Sequence, residues 1–280
     1  MLKINPEDLT LPKLQRYLQS AVSPRPIALA STIDKNGLKN LAPFSFYNVF
    51  SSNPPILVFS PSQSGRTAEQ KDTFNNIKQT GEVVINAVNF DMLHQMNIAG
   101  TEYDSDIDEF EKSGFTPVQS EFVKPYRVKE SPVQFECNVK QIVELGEKGG
   151  AGNLIICEIK LIHIDENILD NNSDIDQTKI DLIARMGGNW YCRANAVSMF
   201  EVAKLNSSHG IGIDQLPEHI KNNKSLTGNQ LGLLGSIDKL PSNEEINKVK
   251  NMFKNSKEFE KIALKFLENG EVFEALCLLI

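Results

Sequence analysis

The sequence predicts a mainly β chain with peripheral helices (α+β), in which an antiparallel barrel, closed or partly closed, is followed by a helical C-terminal extension. Three observations carry the prediction. Runs rich in β-branched residues recur at short spacing, with few helical patterns before residue 205, as an antiparallel barrel requires. After Leu205 the pattern changes to short amphipathic helical signals separated by Gly, Pro and Asn, which places a boundary between 1–205 and 206–280. The 280 residues are 40% hydrophobic, enough for a sizeable core.

Taken in order, Thr10 is placed to cap a helix with Pro12 in its first turn and Leu14, Tyr17, Leu18 and Ala21 at helical spacing. Ser23-Pro24-Arg25-Pro26 breaks it, and Ile27 to Ile33 reads as a buried strand ending in the turn Asp34-Lys35-Asn36-Gly37. Arg25 is the only charge at that strand's entrance, either half-buried beside an anion or ring edge or a surface residue held between two prolines. Leu57 to Ser60 forms a further strand. Asp72 or Thr73 is a natural N-cap for a helix Phe74 to Thr80 stopped by Gly81. Glu82 to Val88 reads as a strand, and Asn89 to Ala99 as a helix with Met92, Leu93 and Met96 on one side and His94 at the surface or in packing.

Asp106 with Glu109 makes a capping-box start for a short helix ended by Gly114. The acids from Glu102 to Glu111 there complement a helix dipole rather than gather a metal. Val133 to Leu145 and Leu154 to Ile164 read as a long hairpin with a flexible Gly-rich tip, 146–153, that lacks any dinucleotide or P-loop fingerprint. In Arg185 to Arg193, RMGGNWYCR, two glycines permit a close backbone approach, and the only Trp is either a buried core aromatic or a flat face at a ligand. In the extension, Ser242 and Glu245 form a capping box with Ile246, Val249 and Phe253 on one face, and Ser256 opens a helix carrying Phe259, Ala263 and Phe266. Such amphipathic helices need a partner surface, the barrel or a second subunit.

Composition removes several function classes. A net charge of −7 with a pI near 5.3 and no basic run opposes nucleic-acid binding. Cys137, Cys157, Cys192 and Cys277 show no C-x-x-C pair, which fits reduced thiols in the cytoplasm, and the N-terminus lacks a signal-like apolar core. His94, His163, His209 and His219 have no metal-ligand spacing, and no G-x-S-x-G elbow marks a hydrolase.

The chemistry concentrates between Asn40 and Thr73. Ser60, Ser62, Ser64, Arg66, Lys71, Asp72 and Thr73 are what a phosphate monoester needs: hydroxyls, cations and a helix start with free N–H groups. Asn40 to Asn48 interleaves Asn and Ser with Pro43, Phe44, Phe46 and Tyr47, suited to one edge and one face of a flat polar ring. A nucleotide-like ligand follows.

These pieces, with Ser23 to Ala28, Asn40-Leu41-Ala42-Pro43, Ser52-Asn53-Pro54-Pro55, Lys71-Asp72-Thr73, Asn76-Ile77 and Arg185 to Tyr191, resemble the FMN-binding split-barrel family of flavin reductases and flavoredoxin-like proteins over about the first two-thirds of the chain. The resemblance implies a split β-barrel homodimer with FMN at the subunit interface, and hydride transfer from NADH or NADPH to flavin N5. By residue it implies Ser60, Arg66, Lys71 and Thr73 on the phosphate, with Ser62 and Ser64 beside them. Asn40, Leu41, Ala42, Ser45, Phe46 and Tyr47 would lie along the ribityl chain and ring edge, and the Gly187 to Tyr191 turn with Trp190 and Arg193 at the donor face. It assigns proton transfer to no residue and implies neither metal, nucleic acid nor membrane. A flavoredoxin-like carrier served by a redox protein partner, and a binding module that holds flavin or another planar ligand without turnover, stay open beside the reductase.

Overall fold

The computed structural model describes residues 1–202, 210–254, 256 and 258–280. The boundary expected at Leu205, and His209, lie outside them. Helix α1 (Leu11–Ala21) starts at Thr10 with a proline in its first turn, although the Thr10 side chain makes no capping bond. Strands β1 (Ala28–Ile33), β2 (Lys39–Phe44), β3 (Tyr47–Ser52) and β4 (Pro55–Phe59) follow, then α2 (Asp72–Thr80), β5 (Glu82–Ala87), α3 (Leu93–Ala99) and α4 (Glu109–Ser113). Two short strands, β6 (Pro117–Val118) and β7 (Arg127–Val128), precede the long hairpin β8 (Val133–Glu144) and β9 (Asn153–Ile164). Helix α5 (Gln177–Ile180) and the small hairpin β10 (Ile183–Arg185) and β11 (Tyr191–Arg193) complete this part.

Seven strands form one antiparallel sheet in the order β2-β1-β5-β8-β9-β4-β3. Its two edge strands, β2 and β3, are consecutive in sequence and joined only by Ser45-Phe46. Successive Cα atoms lie ~3.8 Å apart, so three peptide steps cannot cross a flat seven-stranded sheet with strands ~4.8 Å apart. The sheet therefore curls until its edges meet at that turn, without pairing. Inside lie Ala28, Ala30, Leu57, Phe59, Phe74, Ile77, Val83, Ile85, Cys137, Ile155 and Cys157, all buried. A second cluster, including Ile27, Leu29, Leu41, Met92, Met96 and Phe110, packs between the outer face and the α3–α4 layer.

Several local expectations shift. Helix α2 begins one to two residues early: its N-cap is Lys71, by backbone alone, because Thr73 is turned inward to hydrogen-bond Asn40. The α4 cap is Asp108, whose side chain accepts from the Phe110 N–H, and not Asp106. The Gly-rich β8–β9 tip is tied down rather than free: Gln63 N donates to Ala151 O and Gly150 N to Gln63 O. A Cβ on Gly149 would stand 2.8 Å from the Ser64 carbonyl oxygen, so only glycine lets the tip sit on that loop.

Contacts divide the chain into Met1–Phe200 and Glu201–Ile280. The second unit holds α6 (Glu218–Lys221), α7 (Gly228–Leu234), α8 (Asn243–Met252), α9 (Phe259–Glu268) and α10 (Val272–Leu279). Ser242 and Glu245 make the expected capping box on α8. The apolar faces expected to need an outside surface close on one another: Ile246, Val249, Ala263 and Leu267 pack with Leu276 and Leu278 of α10, and Leu234 is fully buried. No helix among the described residues is long and apolar enough to cross a membrane.

Candidate active site

The N-terminus of α2 opens onto a cleft of about 990 Å³, floored by β2 and walled by the loops at 64–71 and 99–105. Because Lys71 caps α2 without a side-chain bond, the helix starts with backbone N–H groups that no side chain covers. The 64–71 loop is wound around Ser64, whose Oγ accepts from Arg66 N (3.4 Å) and Thr67 N (3.2 Å). Arg66 and Lys71 are thereby brought to the same wall.

Their charges are already engaged. Glu102 Oε2 lies 2.8 Å from Arg66 Nη2, and its Oε1 lies 2.5 Å from Lys71 Nζ. The Lys71 ammonium first, then Arg66, holds the Glu102 carboxyl below its ordinary range despite some burial. Ser105 Oγ also donates to Asp72 Oδ1 at 3.0 Å, so the 102–105 segment is fastened across the helix entry. The cleft floor is polar and fixed: the Asn40 side-chain amide donates to Thr73 Oγ1 (2.9 Å) and Thr32 Oγ1 (3.2 Å). Glu109 is buried, with Oε2 accepting from Leu41 N at 3.0 Å, and burial pushes its carboxyl up against the opposing pull of that bond.

Of the residues singled out in the sequence for the ligand, Asn40, Ala42, Pro43, Phe44, Ser64, Arg66, Lys71, Asp72 and Thr73 line this cleft. The others do not. Ser60 is buried, its Oγ accepting from Asn153 N (3.1 Å) at the start of β9, and Ser62 lies outside the cleft lining. Leu41 points into the core, and Tyr47 packs half-buried against the barrel interior, where burial pushes its hydroxyl up. Phe46 is 44% exposed on the closing turn. Ser45 opens onto a smaller neighbouring pocket with Tyr191.

Trp190 is no core aromatic, being 77% exposed. Gly187 in the same turn is where the close approach occurs, since a Cβ there would clash with the Ser20 side chain of α1. Arg193 forms a two-pronged pair with Asp181 (2.7 and 2.6 Å) above the Phe90 ring. Arg25 is buried at 6% exposure and is not the surface residue held between two prolines: its guanidinium donates to the Gln19, Val22 and Met186 carbonyls and to Ser45 Oγ, bolting α1 and the β10–β11 turn to the barrel.

Sequence reasoning missed Glu102 and Glu109 as cleft residues. It saw the acids of 102–111 and ascribed them to a helix dipole, and only Asp108, Glu109 and Glu111 stand at that helix start.

Comparison with known proteins bears directly on this arrangement. Residues 20–179 match the model of the flavin reductase like domain, a span of more than half the chain. The chain belongs to that family. An uncharacterized protein of Aquifex aeolicus is 39% identical over 181 residues, 65% of this chain and 90% of the relative. Nitrilotriacetate monooxygenase component B from Bacillus cereus superposes with a TM-score of 0.67 at 28% identity, covering 72% of this chain and 98% of that one. A flavin reductase with a split barrel domain from Shewanella frigidimarina gives 0.60 at 27%, over 71% and 96%. The curled sheet whose edges meet unpaired at Ser45-Phe46 is the split barrel of this family, and the chain is a flavin-binding oxidoreductase by family.

Proposed function

We propose that the chain holds FMN in the cleft at the α2 N-terminus and passes a hydride from NADH or NADPH to it. The observation that carries this reading is the pairing of uncovered helix N–H groups with Lys71 and Arg66 at one end of a cleft large enough for a nucleotide. The donor set fits a phosphate monoester there. The cleft also carries Glu69, Asp72, Glu102, Asp104 and Glu109, so a phosphate is held only where the two cations and the helix start outweigh these acids.

Bound FMN would supply the hydride-accepting ring. In this reading Lys71, Arg66 and the α2 N–H groups bind the phosphate, Asn40 and Thr73 form a fixed polar floor beneath the ribityl chain, and Ala42 to Phe44 support the ring. No side chain transfers a proton to the reacting atoms, because positioning of ring and nicotinamide is the protein's whole contribution. We propose further that two copies associate through β3, an unpaired edge strand on which Val49 is 60% and Phe50 68% exposed.

The test is an anaerobic absorption spectrum of the protein with FMN, followed by NADH and then NADPH. Retained flavin bands that bleach with either nicotinamide are expected. Bands that persist with both would move the assignment to an electron carrier fed by a protein. The joint variant Lys71→Ala/Arg66→Ala should weaken FMN by at least about tenfold while leaving riboflavin within about twofold, as loss of charge-assisted phosphate bonds demands. Equal losses for the two ligands would remove the phosphate assignment. Thr73 is unsuited to this test because its hydroxyl also anchors Asn40.

A further inference from the structure

Adjoining the cleft, and sharing Pro43 and Gly100 with it, is a second pocket of about 240 Å³. Three of its polar side chains, Arg185, Asn97 and Ser45, keep donors free, whereas the Tyr191 hydroxyl proton is used. The Arg185 guanidinium lies over the Tyr191 ring at 4.5 Å and makes no hydrogen bond or ion pair among the described residues. Tyr191 donates its hydroxyl to Asn97 Oδ1 (2.9 Å), which occupies the carbonyl end of that amide and leaves its N–H groups without an acceptor among the described residues. Ser45 Oγ accepts from Arg25 Nε at 3.3 Å, so the hydroxyl proton is the end that remains.

The charge points the same way. Arg25 and Arg185 are bridge partners through their backbones, and neither has a carboxylate partner among the described residues. Burial, and then the charge of Arg185, holds the Arg25 guanidinium below its usual range, as two neighbouring cations without a counter-ion require. The rest of the wall is apolar, from Ile27, Pro43 and Met96.

We propose that this pocket binds a small organic carboxylate, its oxygens on Arg185, Ser45 and Asn97 and its apolar body against Ile27, Pro43 and Met96. A planar carboxylate matches the guanidinium fork, and the apolar walls reward an organic body that inorganic phosphate lacks. The volume is below the ~300–1,000 Å³ of drug-sized sites, so a single ring or short chain fits and a dinucleotide does not. The proposal goes beyond the flavin reading and does not depend on it. Where FMN fills the cleft, the shared Pro43–Gly100 edge puts the carboxylate's body next to it, the place of an anionic reaction partner.

Isothermal titration of the full chain with sodium benzoate, benzamide and inorganic phosphate tests it, without FMN and again at saturating FMN. Saturable benzoate binding is expected in both states, at least about tenfold tighter than benzamide, and, with the cleft filled by FMN, at least about tenfold tighter than phosphate. Arg185→Gln should weaken benzoate by about tenfold or more, while Lys78→Ala, the same charge loss at a surface pair with Glu144, should change nothing. Should Arg185→Gln fail to fold, Ser45→Ala carries the test, with a loss of about threefold or more expected. The proposal is overturned by benzoate that does not saturate by roughly 10 mM, by equal binding of benzamide, by benzoate affinity unchanged in the folded Arg185 variant or in its Ser45 substitute, or by loss of benzoate on loading FMN. FMN titration of the same samples reports on the cleft separately, so failure of either assignment is visible without the other.

Discussion

At the residue scale, Glu102 decides how the cleft treats an anion. Its carboxylate bridges Arg66 and Lys71, the two cations any phosphate there must use, so a phosphate competes with a resident side chain rather than with water alone. The ion pairs are solvent-exposed, and exposed pairs contribute only ~0.2–1 kcal/mol, so the competitor is displaceable. Glu102→Gln should therefore raise FMN affinity by about two- to fivefold at low salt, leave riboflavin unchanged, and show a smaller gain as salt screens both variants. A fall in FMN affinity in that variant, read by fluorescence quenching, would mean that Glu102 supports the ligand instead of excluding it. The cations themselves were legible in the sequence because helix starts and phosphate groups share a chemistry. Their occupation by Glu102 was not, since a contact spanning 31 residues has no local signature.

At the scale of elements, the most heavily invested side chain outside the cleft is Glu136 on β8. It is fully buried, and its oxygens accept from the backbone N–H groups of Glu121 (2.9 Å), Phe122 (2.6 Å) and Val123 (3.2 Å) and meet His163 Nε2 of β9 at 2.7 Å. This staples the 121–123 loop to the paired strands. Burial acts to raise the Glu136 carboxyl, but those backbone donors and His163 together hold it below its ordinary 4.5. A carboxyl lowered on folding contributes stability that is complete above 4.5 and lost as pH falls through the folded value. Glu136→Gln should cost about 1–3 kcal/mol near neutral pH, because an amide cannot accept at both ends, and the gap from wild type should narrow as pH drops below that range. Urea denaturation across pH measures this; a gap that is constant with pH would show that Glu136 does not titrate with folding. The strands carrying it were readable as a β-branched hairpin, whereas the staple was not, because nothing in the loop 121–123 marks its amides as donors. The same limit explains Arg25, whose partners at Gln19, Val22 and Met186 are backbone carbonyls of any residue type.

At the scale of the whole molecule, the two units differ in what the sequence could say of them. Barrel strands announce themselves by period and by the residues of the family pattern, and the joining of the sheet's edges follows from a two-residue link. The helices of Glu201–Ile280 were legible one by one through caps and spacing, but not their mutual packing, because an amphipathic face shows that it needs a partner without showing which. Here the partners are the other helices, with Leu276 fully buried among them. The family match, residues 20–179, lies wholly within the unit Met1–Phe200, and the Aquifex relative aligns over 90% of its own length while covering 65% of this chain. A chain cut to residues 1–200 should then fold on its own and bind FMN within about threefold of the full chain, since every cleft residue from Asn40 to Glu109 is retained. In the full chain Leu276→Ala should cost about 2–5 kcal/mol within the helical unit and lower one melting transition while leaving the FMN-stabilised one in place. Loss of FMN binding by the well-folded shortened chain would show instead that the helical unit completes the flavin site, and a single transition lowered by Leu276→Ala and raised by FMN would show that the two cores melt as one.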